Sequence, residues 1–190
     1  MNPERMAREM ATIVEQYYSG DGLTRKRTEE HTVTETKREI YLDMIVKAFP
    51  RCQVANWTDV DEYTSYEFHV LLNESVGSLL DDDVKLIEFL GGRRKDLHIY
   101  FSYLAEYWHW HVVETTFFDG VWDFKTTYSV PAQFSKNIDN LRAAVNELGY
   151  VELNEAEVKQ IIEDVDIECV EKSRTTVFNL LFSDVVDLLR

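Results

Sequence analysis

The chain has 190 residues, 45% of them hydrophobic and 13% aromatic, and its 35 acidic against 20 basic side chains leave a formal charge of −15. That length and apolar content exclude wholesale disorder and remove any need for a disulfide or structural metal to secure the fold. With only Cys52 and Cys169, a four-thiolate zinc site is impossible within one chain, and no apolar run reaches the roughly 18 residues of a membrane span.

Residues 1–50 are almost balanced, with nine acids and eight bases, whereas the remainder carries 26 acids and 12 bases. Such a field repels phosphates and anionic lipid and attracts cations. The expected partner is therefore a basic protein, with neither direct nucleic-acid contact nor membrane association. Met1–Met10, charged at Glu4, Arg5, Arg8 and Glu9, lacks the apolar core of a secretory signal, so the expected location is cytoplasmic.

In chain order, Met6, Met10, Ile13, Val14, Tyr17 and Tyr18 give the spacing of an amphipathic helix, with Pro3 at its first position and Asn2 as its cap. Ser19–Thr34, polar and containing the basic run Arg25-Lys26-Arg27, predicts a loop or a pair of exposed strands. Residues 1–34 could form a peripheral appendage to a single domain spanning 1–190. A second helix is expected over Glu35–Phe49, facing inward with Ile40, Tyr41, Met44, Ile45 and Ala48 and closed by Pro50.

Strands are expected over Cys52–Trp57 and Tyr63–Leu72; the second alternates Tyr66, Phe68, Val70 and Leu72 with Ser65, Glu67, His69 and Leu71. Asp59-Val60-Asp61-Glu62 suits the turn between them. Asp81-Asp82-Asp83 caps a short helix that stops at Gly91-Gly92; the oxygen spacing of a calcium loop is missing there.

An aromatic hairpin follows over Leu97–Phe118, then Asp119-Gly120 and a third strand to about Val130. Phe134, Ile138, Leu141, Val145 and Leu148 form a helical stripe ending at Gly149, and Asn154 with Glu157 opens another helix continuing through Val165. Asp166–Glu171 and Thr175–Phe182 complete the pattern as strands, with a short helix or frayed end over Ser183–Arg190. The fold class is α+β: a central antiparallel sheet with an aromatic-rich meander and amphipathic helices packed on it. No Gly-rich turn or βαβ period supports a nucleotide fold.

With Ala105-Glu106 as the hairpin loop, Tyr103 faces Trp108, Phe101 faces Trp110 and Ile99 faces Val112 on one side. Ser102–His109, Tyr100–His111 and His98–Val113 lie on the other. Pairing Phe118 with Val121 then adds Phe117–Trp122 and Thr115–Phe124 to the histidine side, and Glu114–Lys125 to the supposedly apolar one. Either a bulge near Glu114 switches the faces or both faces are partly covered by helices.

His98, Tyr100, Ser102, His109 and His111 are the one concentration of chemically versatile side chains, with Glu67 or Asp119 as candidate acidic neighbours. Nucleophile, phosphate-loop and H-E-x-x-H signatures are absent, and neither a cofactor nor a metal is expected. The first functional expectation is a non-catalytic acidic binding factor, an intracellular inhibitor, immunity or antitoxin-like protein neutralising a basic partner. Trp108 and Trp110 would be its anchors, and Asp59, Asp61 and Glu62 its charged contacts. The alternative is a small-ligand-binding protein or enzyme using a pocket of histidines and aromatics.

Overall fold

Alternating side chains commit a strand to two faces, and the central strands of the sheet in the computed structural model bury both. The structure describes residues 3–18, 35–59, 63–73, 83–163, 165, 167, 170, 174–183 and 188. The expected loop over Ser19–Thr34, the acids Asp61, Glu62, Asp81 and Asp82, the cap Asn2 and most of the segment beyond Ser183 lie outside them.

Five strands run antiparallel in sequence order: β1 (Gln53–Asn56), β2 (Ser65–Leu71), β3 (Arg93–Ser102), β4 (Tyr107–Phe118) and β5 (Val121–Thr127). A two-residue strand, β6 (Val151–Glu152), joins β4 in parallel beside its start. The helices are α1 (Pro3–Ile13), continued by a π-helical turn over Val14–Tyr18, then α2 (Glu35–Ala48), α3 (Asp83–Phe89), α4 (Ser135–Glu147), α5 (Glu155–Val158) and α6 (Val177–Leu181). This is the expected α+β fold, a central antiparallel sheet bearing aromatics with helices packed against it.

The central register differs from the proposed one by two residues. Phe101 lies opposite Trp108, Ile99 opposite Trp110, Tyr100 opposite His109 and His98 opposite His111. Ala-Glu cannot supply the positive φ angles of a two-residue hairpin loop, so the chain turns over Tyr103–Glu106 instead. A shift of two preserves every side chain's face. The next hairpin keeps the expected pairing of Phe118 with Val121, and Asp119 (φ 49°) and Gly120 (φ 79°) both adopt the left-handed conformation that a tight turn of this hand demands.

No bulge interrupts the β3–β4 pairing, which runs continuously from Arg93–Thr116 to Phe101–Trp108. Both faces are partly covered instead, over β2, β3 and the first part of β4, while β5 stays exposed along nearly its whole length. On one, Tyr66, Phe68, Val70, Leu97, Ile99, Phe101 and Trp108 meet α2 and α4, and Tyr41 stacks on Phe101 at 4.4 Å. The α4 stripe Ile138, Leu141 and Val145 is buried as its spacing requires. Ile40, expected inside, is 49% exposed because Tyr41, Ile45 and Ala48 define the inward face of α2.

On the other face, Met6, Met10 and Ile13 of α1 and Phe178, Leu181 and Phe182 of the C-terminal segment cover Tyr100 and Tyr107. Here two expectations fail. The strand expected over Thr175–Phe182 is instead the helix Val177–Leu181, because Thr176 and Asn179 form a reciprocal cap and the following run is buried on every side; a run so uniformly apolar carries no period to separate helix from strand. The Asn154 capping box exists, but its helix ends at Val158, and Ile161 and Ile162 turn away to meet the segment before α6, through the Ile161–Thr176 bridge and an Ile162 N–H bond to the Thr175 carbonyl.

Phe178 packs edge-on to Tyr100 at 5.1 Å and to His109 at 5.7 Å, so it closes the second core. Phe178→Ala is expected to destabilise the protein by about 3–5 kcal/mol in urea unfolding. Phe124→Ala, at a position 65% exposed on β5, should stay within about 0.5 kcal/mol of wild type.

Candidate functional site

The second face carries an unusual row. Glu67 and His69 on β2, His98 and Tyr100 on β3, and His109 and His111 on β4 alternate onto one side of the sheet. Their rings form a continuous file: His69 stacks on His98 at 3.7 Å, His98 on His111 at 5.4 Å, and His111 lies 5.5 Å from His109. Four imidazoles and one carboxylate thus share a largely water-excluded surface, where each polar atom needs a partner.

One end is sealed. His109 and His111 are each 1% exposed, under Phe178 and beside Tyr128. The Leu153 carbonyl can only accept, so His109 Nδ1, 2.8 Å away, carries the proton. In the neutral ring Nε2 then accepts, over 3.4 Å, the Nδ1–H of His111. A single backbone carbonyl therefore fixes the tautomers of two imidazoles in succession.

The other end opens. His69 Nε2 lies 2.7 Å from Glu67 Oε1, and His98 Nδ1 lies 3.3 Å from the Tyr100 hydroxyl and 3.8 Å from the same Glu67 oxygen. Tyr100 also hydrogen-bonds Glu67. His69 and His98 floor a pocket of about 390 Å³, walled by Trp57, Trp122 and Phe124, with Arg94 and Asp96 joined across its rim at 2.6 Å. Trp57 itself stacks on His69 at 5.0 Å.

Burial governs the charges. It pushes the Glu67 carboxyl up to about 7, with the Tyr100 hydrogen bond pulling the other way. It holds His69 down to about 3, helped by the Arg94 charge, and His109 down to about 4 against the Leu153 bond. His98 and His111 are likewise held well below the ordinary imidazole range, by burial and by their neighbouring rings. At neutral pH the row is a set of uncharged imidazoles, and the Glu67–His69 bond persists in either protonation state of the acid: protonated Glu67 donates to Nε2, and ionised Glu67 accepts from Nε2–H.

Four of the five expected cluster residues, His98, Tyr100, His109 and His111, come together as this row. Ser102 shares the face, but its Oγ is turned to the loop and accepts the Leu104 N–H. Sequence reasoning underweighted Glu67 and omitted His69, although both fall on the polar alternation of β2. Asp119 stays on an exposed turn and does not contribute. The ligand-type atoms of Glu67, His69 and His98 all lie within 4.8 Å of one another, the one such group of three among the described residues.

The expected partner anchors are placed differently. Trp108 is 0% exposed, sealed beneath α2 and α4, so it presents no surface to a partner. Trp110 is half-buried and donates Nε1–H to Glu152, which also holds Arg142. Asp59 is exposed, whereas Asp61 and Glu62 lie outside the described residues. No helix among the described residues is long and apolar enough to cross a membrane. Comparison with protein-family models, with curated proteins and with solved structures finds no match for the chain, so its own residues must carry the functional argument.

The imidazole shifts fix a pH dependence. His109 has an ordinary value of 6.5 when unfolded and about 4 when folded, so below 6.5 the unfolded chain takes up a proton the folded one refuses. Stability is complete above 6.5 and is lost as pH falls through 4, by at most about 1.4 kcal/mol per pH unit per site. Glu67 acts in the opposite sense between 4.5 and about 7, offsetting one of the four imidazoles. His109→Asn, whose amide can still donate to Leu153, should give a shallower loss of unfolding free energy between pH 6.5 and 4 than wild type, measured by urea unfolding in chelator. Parallel curves would mean that His109 titrates freely in the folded protein.

Proposed function

We propose that the chain is a small-ligand-binding protein, with the apparatus for acid–base catalysis, whose site is the pocket floored by His69 and His98. The observation that carries this reading is the meeting of two features at one place. A pocket of about 390 Å³ with aromatic walls ends on His69, which is bonded at 2.7 Å to the buried Glu67 behind it.

The volume suits a molecule of a few rings or fewer. Trp57, Trp122 and Phe124 supply π faces, so a planar ligand would gain stacking as well as apolar burial. Two uncharged imidazoles at the floor can each donate or accept a hydrogen bond, which favours a ligand with one polar edge pointed inward. Aromatic walls with a few convergent polar groups are the usual composition of a small-molecule site.

Chemical competence comes from Glu67. A carboxyl poised at about 7 exists in both protonation states near neutrality, the condition under which a general acid or base works best. Its contact with His69 provides a path from the buried carboxyl to the pocket floor without a buried charge standing alone. Strong perturbation by burial beside specific partners in a cleft favours a functional role over a purely structural one.

Benzimidazole and indole serve as planar probes, each with one polar edge. Binding is expected to quench tryptophan fluorescence and shift the ring resonances of His69 and His98 while leaving His109 in place. Trp122→Ala should weaken the probes by roughly 10-fold through loss of stacking. Probes that bind equally to Trp122→Ala, or that shift neither His69 nor His98, would place binding elsewhere and contradict the reading.

A further inference from the structure

We infer that Glu67, His69 and His98 form a binding site for a divalent transition metal of the zinc class, with an open coordination position facing the aromatic pocket. The inference deepens the pocket reading and rests on it for that open position. Two neutral imidazole nitrogens and one carboxylate oxygen are the donor set of many three-residue zinc centres, and they suit zinc, cobalt or ferrous iron better than magnesium or calcium, which prefer oxygen alone.

The spacing fits. Metal–ligand bonds of about 2.0–2.2 Å in a tetrahedral centre set ligand atoms roughly 3.3–3.5 Å apart. Glu67 Oε1 stands 2.7 Å from His69 Nε2 and 3.8 Å from His98 Nδ1, distances that bracket that range. The metal would enter where Glu67 and His69 are now hydrogen-bonded, spreading those two atoms by roughly 0.6–0.8 Å. His98, whose ring plane is 28° from that of His69, must turn its Nδ1 from the Tyr100 hydroxyl toward Glu67.

Among the described residues the surroundings support those three ligands and no fourth. Tyr100 keeps its hydrogen bond to Glu67 and becomes the outer partner that orients the carboxylate. His111 stacks on His98 but lies outside the group whose ligand-type atoms come within 4.8 Å of one another. His69 and His98 line the pocket whereas Glu67 lies behind them, which leaves the remaining coordination position for water or for a ligand's polar edge. The site is thus built like a reactive centre, with three protein ligands and one vacancy, and unlike the closed four-ligand structural sites. Bound there, a metal would act as a Lewis acid on the ligand that the aromatic walls hold.

The test is a titration of chelator-stripped, full-length protein with Co²⁺, read by visible absorption and by calorimetry, with Zn²⁺ as competitor. Wild type is expected to take up one equivalent with the intense bands of low-coordinate cobalt, bleached by Zn²⁺. Glu67→Gln keeps a hydrogen-bonding amide against His69, and with His98→Gln it should weaken binding by more than the roughly 10–100-fold typical of losing an outer partner. Circular dichroism and thermal melts verify that both variants fold. Trp122→Ala should bind Co²⁺ like wild type while binding benzimidazole roughly 10-fold more weakly. No saturable Co²⁺ uptake, or uptake unchanged in folded Glu67→Gln and His98→Gln, overturns the metal site. Benzimidazole binding that persists without Co²⁺ uptake removes the metal and leaves the pocket reading standing; Co²⁺ uptake without any probe binding does the reverse.

Discussion

The pairing of β3 with β4 is the constraint from which the rest follows. Setting Phe101 against Trp108 and His98 against His111 decides at once which side chains share a face. A slip of β4 by one residue against β3 would carry Trp108 onto the side of Phe178 and thrust His109 and His111 among Leu141 and Ile45. Each imidazole would then lose its partner in an apolar layer, at a cost of about 1–3 kcal/mol per unsatisfied group. The hydrophobic pattern and the polar row thus reinforce one register.

The two faces solve different problems. The face under α2 and α4 is an ordinary core of aromatic and aliphatic side chains, held by area burial and ring stacking such as Tyr41 on Phe101. The opposite face must stay dry while holding four imidazoles and a carboxylate. It does so in a gradient: at the α6 end every histidine nitrogen that bonds is committed inward, to Leu153 or to the next ring, whereas at the α3 end His69 and His98 meet a cavity. Cost is concentrated at Glu67, the one acid of the row. A carboxyl held near 7 in a largely buried setting sacrifices folded-state stability at alkaline pH, and such a sacrifice is commonly retained where the group acts on something.

Much of the scaffold was legible because local rules and burial agreed. The α4 stripe, the Asp119-Gly120 turn and the alternation on β2 each name one structure, and each occurs. The hairpin faces were legible, but the register was off by two because strand alternation repeats every two residues and only the loop could distinguish the choices. Val177–Leu181 was illegible for another reason: Val, Phe, Leu and Leu around Asn179 are buried on all sides, so neither period shows. β6, two residues long, pairs only because α4 returns the chain beside β4. Of the site, the contributions of β3 and β4 could be read as a local concentration of histidines. His69 and Glu67 come from a strand some thirty residues earlier in the chain, and only the β2–β3 pairing, His69 opposite His98 and Glu67 opposite Tyr100, brings them in. Trp108 is unavailable as the expected anchor because composition marks it as aromatic, not as buried.

The central claim is that one sheet face holds a row of uncharged imidazoles, sealed at one end and open to a pocket at the other. Histidine ring resonances followed from pH 8 to 5 report it directly, since nitrogen and Cε1 shifts reveal both charge and tautomer. The account predicts that His69, His98, His109 and His111 remain neutral throughout, with His109 and His111 carrying their protons on Nδ1. A midpoint near 6.5 for any of the four, or an Nε2-protonated His109, would contradict the buried row.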